Sequence, residues 1–306
     1  MSKTVLILGA SGHSGGAFAT AFAAAGWQVR RYVRSTDLAE AARGAQLIVN
    51  AMNPPDYHDW ARQIPAITEL AMTAARVSGA RMLIPGNVYV YGSQPGPWSA
   101  ATPHRPCSRK GRIRAEMEAA WRASGLPVTI LRGGDFIDGA APGLVMGKVT
   151  LKWLARGRIT ALGDPAAKRA HAYLPDLARA AVALAEVPDL PVFADIPFPG
   201  HTFSLNDLAA EIGRQTGRTP RIGRFPWWAM RLAGPFWELA RELHEMRYLY
   251  DHPHQLDGTA LNTLLPGFTP TPFADVVAGH LVAPGSAAIS PRGNLIANQR
   301  VESIQS

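Results

Sequence analysis

The sequence predicts an α/β fold: a Rossmann-type doubly wound parallel sheet with a smaller carboxyl-terminal α/β lobe. Three observations carry this. The apolar run Val5–Leu8 enters a glycine-spaced loop and then an alanine-rich helical stretch. Short apolar runs and helical stretches keep alternating up to about residue 140. Beyond that point proline and glycine become frequent and the periodic runs shorten.

The first unit has the run Val5–Leu8, the G-x-x-G-x-x-G loop Gly9–Gly15, and a helix with Phe18 and Phe22 four apart that stops at Gly26. Glycines there permit a tight turn, backbone approach to a diphosphate and close helix–strand contact. The free amides and positive dipole end of the new helix favour phosphate. The second strand, Trp27–Val33, is followed by Arg34 and holds Arg30 and Arg31, with no acid before Asp37. A pocket for an unphosphorylated ribose usually places an acid at this strand end. Arginines instead suit the 2′-phosphate of NADP(H), with Arg34 the first choice.

A third strand, Gln46–Met52, ends in Asn50-Ala51-Met52, and its short connection from Arg34 leaves room for only a brief helix. Trp60, Ile64, Ile67, Ala71 and Ala74 mark a helix ending near Gly79, followed by a fourth strand, Arg81–Pro85. Arg109–Ser124 reads as the next helix and Val128–Leu131 as the fifth strand, before the turn Arg132-Gly133-Gly134-Asp135. Downstream, Asp176–Glu186 and Leu205–Gln215 are helices, and Val192–Ile196 is a candidate late strand of the main sheet. Phe236, Leu239, Leu243, Met246 and Tyr250 form an apolar stripe on a further helix, with Glu238, Arg241, Glu242 and Glu245 on the face expected to meet solvent. The aromatic group Phe225, Trp227, Trp228, Phe236 and Trp237 reads first as lobe core, ahead of a substrate wall, a partner subunit or a membrane surface. The expected division is 1–140 for the dinucleotide-binding domain, with returns near 170–197, then 141–283 for a substrate lobe and 284–306 for a mobile tail.

At 47% hydrophobic and 18% charged residues, the 306-residue chain is globular in composition, which excludes extensive disorder. No apolar run reaches the ~20 residues of a membrane-spanning helix, and the amino terminus lacks a leader pattern. The single cysteine, Cys107, excludes an internal disulfide and fits a cytoplasmic, reducing setting. No His, Cys, Asp or Glu grouping has metal-ligand spacing, so no metal is expected. The net charge of +8 suits anionic ligands such as nucleotides, and no motif specific for nucleic acid accompanies it. Five cations, Arg105, Arg109, Lys110, Arg112 and Arg114, fall within ten residues around a predicted helix start, where they oppose the helix dipole. An anionic ligand would account for them, as would chance on an arginine-rich surface.

In order, the pieces GASGHSG (9–15), VRRYVR (29–34), IVNAMNP (48–54), VYVYG (88–92), AEMEAAW (115–121), TILRGGDF (129–136) and HAYLPDLARA (171–180) resemble the extended and atypical short-chain dehydrogenase/reductase superfamily. This superfamily includes NAD(P)-dependent epimerases and dehydratases. The chain also resembles its NmrA-like branch, whose members include reductases and non-catalytic redox sensors. The resemblance implies a Rossmann-type sheet, NADP(H) as ligand and a substrate lobe. The cofactor set expected is Gly9, Ser11, Gly12, His13, Ser14, Gly15, Arg34, Asn50, Ala51, Met52 and Gly133.

The departure is in the proton relay. Enzymes of this superfamily usually carry Tyr-x-x-x-Lys, in which lysine lowers the pKa of a tyrosine that exchanges a proton with the substrate oxygen. None of the seven tyrosines here has a lysine four residues on. The expected positions fall on Ser108 and Arg112, and the serine position on Asn87. Substitutes are Tyr89 as proton donor, Asn87 bonding a carbonyl oxygen, Lys110 lending positive charge, and Asp135 as acid or base if burial raises its pKa. Tyr91 matches a Tyr-Gly pair whose tyrosine is usually structural or a substrate contact in this superfamily. The expected activity is that of an NADP(H)-dependent oxidoreductase on a small carbonyl-type substrate. The alternatives are a non-catalytic NADP(H) sensor and a nucleotide-sugar epimerase or dehydratase. The expected partner is a small-molecule substrate, with a homodimer left open.

Overall fold

The computed structural model describes residues 3–54 and 58–282. The expected tail, 284–306, lies outside the described residues. Five strands alternate with helices in the first half: β1 (Thr4–Leu8), α1 (His13–Ala24), β2 (Gln28–Arg31), α2 (Leu38–Ala42), β3 (Leu47–Asn50), α3 (Trp60–Ser78), β4 (Arg81–Gly86), α4 (Arg109–Ala123) and β5 (Val128–Arg132). The second half follows with β6 (Asp135–Ile137), β7 (Arg158–Ala161), β8 (Arg169–Tyr173), α5 (Leu174–Ala185), β9 (Phe193–Pro197), β10 (His201–Phe203), α6 (Leu205–Thr216), β11 (Arg221–Arg224), α7 (Trp227–Ala233), α8 (Glu238–Glu245), α9 (Tyr248–Asp251), α10 (Thr259–Leu264) and α11 (Phe273–Val282).

The main sheet runs β2-β1-β3-β4-β5-β9 and is parallel throughout. Strands covered on both faces are continuously apolar, and Val5–Leu8 are buried accordingly. Phe18, Phe22, Leu177 and Ala181 from α1 and α5 cover one face. Trp60, Ile64, Met72, Ile113, Met117 and Trp121 from α3 and α4 cover the other, with α2. Helix α2 is brief, at five residues, and β2 lies at the sheet's edge. The strand order reverses between β1 and β3, and a ligand crevice opens beyond the strand ends at such a point.

A three-stranded sheet, β10-β8-β6, and a two-stranded pair, β11-β7, build the lobe. Their core includes Ile137, Ile159, Phe203, Leu208, Ile212, Val276 and Val277. These strands are three to five residues long, too short to show a period in sequence. Helix α5 starts two residues before its expected position, since Pro175 is tolerated in a first turn. Ser204 and Asp207 cap α6 reciprocally.

The region 225–251 overturns two expectations. Phe236, Trp228 and Trp237 are exposed, so the aromatic group is not lobe core; Trp227 is anchored through a 2.6 Å bond from its indole N–H to the Leu162 carbonyl, and Phe225 packs edge-on against it. The expected helix breaks at Met246 into α8 and α9, and its acidic face turns inward, with Glu242 buried.

Candidate active site

The crevice is a cavity of about 300 Å3 lined by Ser14 of α1, by residues at and just beyond the ends of β3 and β4, by the turn into β6 and by residues of the lobe. On one side is the start of α1. Gly9 has φ +78°, and a Cβ there would stand 2.8 Å from the Ala51 carbonyl oxygen. A Cβ on Gly15 would stand 2.1 Å from the Gly9 carbonyl oxygen. Only glycine lets loop, helix and third strand approach this closely. Helix α1 has neither a side-chain cap nor an acid in its first turn, which leaves its leading amides available to a ligand. Ser11, Gly12 and His13 are exposed and Ser14 lines the cavity, so the mouth is open. The His13 ring lies over Gly143. This cradle fits the diphosphate of a dinucleotide.

Asn50, Ala51 and Met52 form the cavity wall beyond β3, where the Asn50 side chain accepts from the Met52 amide at 3.2 Å. At the end of β2, Arg31 and Arg34 are exposed, whereas Arg30 donates to the Arg43 carbonyl at 2.7 Å and closes the loop. Asp37, the first acid after β2, caps α2 by accepting from the Glu40 amide. Gly133 packs against Ala172, its amide bonded to Gly86; its neighbour Gly134 reaches the cavity instead.

The proposed proton-handling residues separate. Tyr89 lines the cavity, on a 3-10 turn whose first amide is capped by the Asn87 side chain at 3.0 Å. Asn87 thus holds the turn as well as facing the cavity. Tyr91 is buried and donates to the Ser99 carbonyl, and burial pushes its hydroxyl pKa up, so it is structural. Lys110 is corrected: it is wholly buried and paired with Glu242 and, at 2.9 Å, with Glu245 of α8. Arg109 joins it at 2.7 Å from Glu242. Of the five clustered cations, Arg114 reaches the cavity; it bonds Asn53 at 3.0 Å and stands 5.0 Å over the Trp60 ring.

Asp135 is corrected as well. Burial pushes its carboxyl pKa up, but the Arg169 guanidinium, 2.6 Å away, and His171 outweigh burial and hold it below the usual range. It is an anion rather than a poised acid. The register that pairs β6 with β8 sets Asp135 opposite His171, beside Arg169. The guanidinium of Arg169 also sits 4.8 Å from the Tyr250 ring centre, and Tyr250 lines the cavity. Sequence reasoning marked Arg114 only as one of five clustered cations, and it missed Arg169 and the cleft roles of Trp60 and Tyr250; the arrival of β8 beside β6 has no local signature.

Below the floor, Arg132 is fully buried with forked bonds to Glu118 (3.0 and 2.7 Å) and Asp195 (3.1 and 2.7 Å) and a bond to the Asn87 carbonyl. Among the described residues, His104, Glu118 and Asp195 are the one group close enough to share a metal ion. The Arg132 guanidinium already pairs with both carboxylates.

Solved structures with this architecture include proteins that bind or act on nucleotide sugars. The chain matches MoeE5 in complex with UDP-glucose and NAD at TM-score 0.72 and 18% identity, over 92% of this chain and 97% of that one. It matches UDP-glucuronic acid 4-epimerase from Bacillus cereus, in complex with UDP-glucuronic acid and NAD, at TM-score 0.72 and 16% identity, over 90% and 97%. TunA, an NAD-dependent NDP-hexosamine 5,6-dehydratase involved in tunicamycin biosynthesis, gives TM-score 0.67 and 16% identity, over 92% and 97%. The chain shares their fold. No protein-family model matches it. No curated protein matches it.

Proposed function

We propose that the protein is a cytoplasmic NADP(H)-dependent oxidoreductase that acts on a sugar-like substrate, with a nucleoside-diphosphate sugar the first class to try. One observation carries this reading: Ser14 at the open start of α1 shares a single cavity with Tyr89, Asp135 and Tyr250, and Arg169 stands behind the last two, paired with Asp135. The cradle fits a dinucleotide diphosphate, and Arg34 and Arg31 at the β2 end suit a 2′-phosphate. The nucleotide-sugar enzymes of the same fold support the substrate class.

A bound nicotinamide would supply hydride transfer, to a carbonyl carbon in the reductive direction or from a carbinol carbon in the oxidative one. In the reductive direction the Tyr89 hydroxyl donates the proton that the nascent alkoxide takes up, and water reprotonates Tyr89. The amide side chain of Asn87 orients the same oxygen. Arg114 and Arg169 attract the anionic part of the substrate.

Fluorescence titration tests the cofactor. NADPH binds more tightly than NADH, and Arg34→Ala removes roughly ten-fold of NADPH affinity while leaving NADH unchanged. Equal affinities in the wild-type protein would defeat the assignment to NADP(H). With UDP-glucuronic acid as the first substrate screened, Tyr89→Phe lowers kcat by two orders of magnitude or more (~100-fold) and leaves cofactor affinity intact.

A second reading is favoured by Lys110. Its burial against Glu242 removes from the cleft the lysine that could have lent charge in place of the missing Tyr-x-x-x-Lys pair, as a non-catalytic NADP(H) sensor would have it. Binding without turnover across a broad substrate screen would select that reading.

A further inference from the structure

We propose that the face formed by β7, β11 and α7 docks the protein on an anionic lipid bilayer. Two segments, 144–160 and 218–237, hold eight of the chain's 31 Lys and Arg and none of its 23 Asp and Glu. The remaining 23 cations match the 23 acids, so the whole net charge of +8 resides in these segments. The structure brings them together. Strands β7 and β11 pair in parallel with Arg158 beside Arg221. Like charges side by side on a strand pair are destabilising unless an anion answers them. A surface concavity of about 440 Å3 beside them is lined by Lys148, Lys152, Arg156, Arg158 and Arg224, with no acid in its wall. None of these five makes an ion pair with a described carboxylate, in contrast to Arg109, Lys110, Arg132 and Arg169.

Apolar surface adjoins this charge. The concavity ends at Phe225 and Pro226, the latter being the residue that precedes α7. On α7, Trp228 and Leu232 lie one turn apart and are each 67% exposed. Phe236, just beyond, is 94% exposed, and Trp153 at the concavity's wall is also exposed. Tryptophan, leucine and phenylalanine flanked by cations form the pattern of an interfacial anchor, with rings at the acyl boundary and cations among headgroups. Such largely exposed Leu and Phe side chains distinguish this face from a nucleic-acid site, where flat stacking rings alone would serve. The charge sign selects anionic lipid.

The test is flotation of the full chain with vesicles of phosphatidylcholine alone and of equal parts phosphatidylcholine and phosphatidylglycerol. The protein floats with the mixed vesicles at low salt, is released at high salt, and stays behind with phosphatidylcholine alone. Each cation near an anionic surface contributes roughly five-fold in partitioning, so Lys152→Glu/Arg156→Glu weakens binding by roughly 25-fold or more. Trp228→Ser/Phe236→Ser, two surface changes, lowers binding while melting temperature and dinucleotide affinity hold. Failure to float with mixed vesicles overturns the proposal. So does flotation that both double variants leave unchanged. Saturable pyrophosphate or oligonucleotide binding at this face without vesicle binding, or self-association abolished by Phe236→Ser without vesicle binding, also overturns it.

Discussion

Two helix starts face the same crevice region and are treated in opposite ways. The start of α1 has no side-chain cap and no acid in its first turn, and its glycines admit only backbone. The start of α4 is capped by Ser108, whose hydroxyl accepts from Gly111 at 3.0 Å, and is then closed by Glu242 and Glu245 from α8. Both ends carry a positive dipole. At α1 that potential is available to a ligand; at α4 it is answered from within the chain. The resemblance to reductases had placed chemistry at both. The difference teaches that the phosphate cradle is kept open while the proton-relay corner has become a structural ion pair.

The contrast is broken most strongly at Lys110. Lys110→Met leaves two carboxylates without their buried cation and costs about 3–5 kcal/mol, read as a lower melting temperature. Removing charge from both sides, as in Lys110→Met/Glu242→Gln, recovers part of the loss. An unchanged melting temperature in the single variant would return Lys110 to the list of ligand-facing groups.

Closing the α1 mouth is the next largest effect. Ser14→Asp places a carboxylate in the first turn, where the dipole favours it, yet it repels a diphosphate. Dinucleotide affinity falls by roughly 10- to 30-fold while thermal stability holds or rises. Affinity that survives this change would move the diphosphate elsewhere.

The smallest effect concerns the lobe side of the cleft. Burial, with Arg169 beside it, holds the His171 imidazole pKa down to about 3, against an ordinary 6.5. The unfolded chain therefore binds a proton that the folded chain does not across that window, and stability falls as pH drops from 6.5 toward 3. His254, held down to about 4 mainly by burial, adds to the slope. His171→Gln flattens the pH dependence of urea midpoints; an unaltered slope would assign acid sensitivity to other groups.

The sequence by itself determined the parallel sheet, the glycine cradle and the arginines after β2. These are local: strand, loop and helix follow within the span from Thr4 to Ala24, and the contacts that Gly9 and Gly15 permit are made by backbone. It also marked the absence of a Tyr-x-x-x-Lys pair. Tertiary structure alone decided what replaced it. Lys110 meets Glu242 across 132 residues, Arg169 meets Asp135 across 34, and neither partner is named by any spacing. The periodicity of 236–250 correctly suggested a helix but put its acids in water, because an amphipathic pattern assumes a hydrophobic neighbour. Here the surface waiting for α8 was a buried lysine, and charge complementarity turned the polar face inward. The apolar residues on the neighbouring turns were thereby left outside.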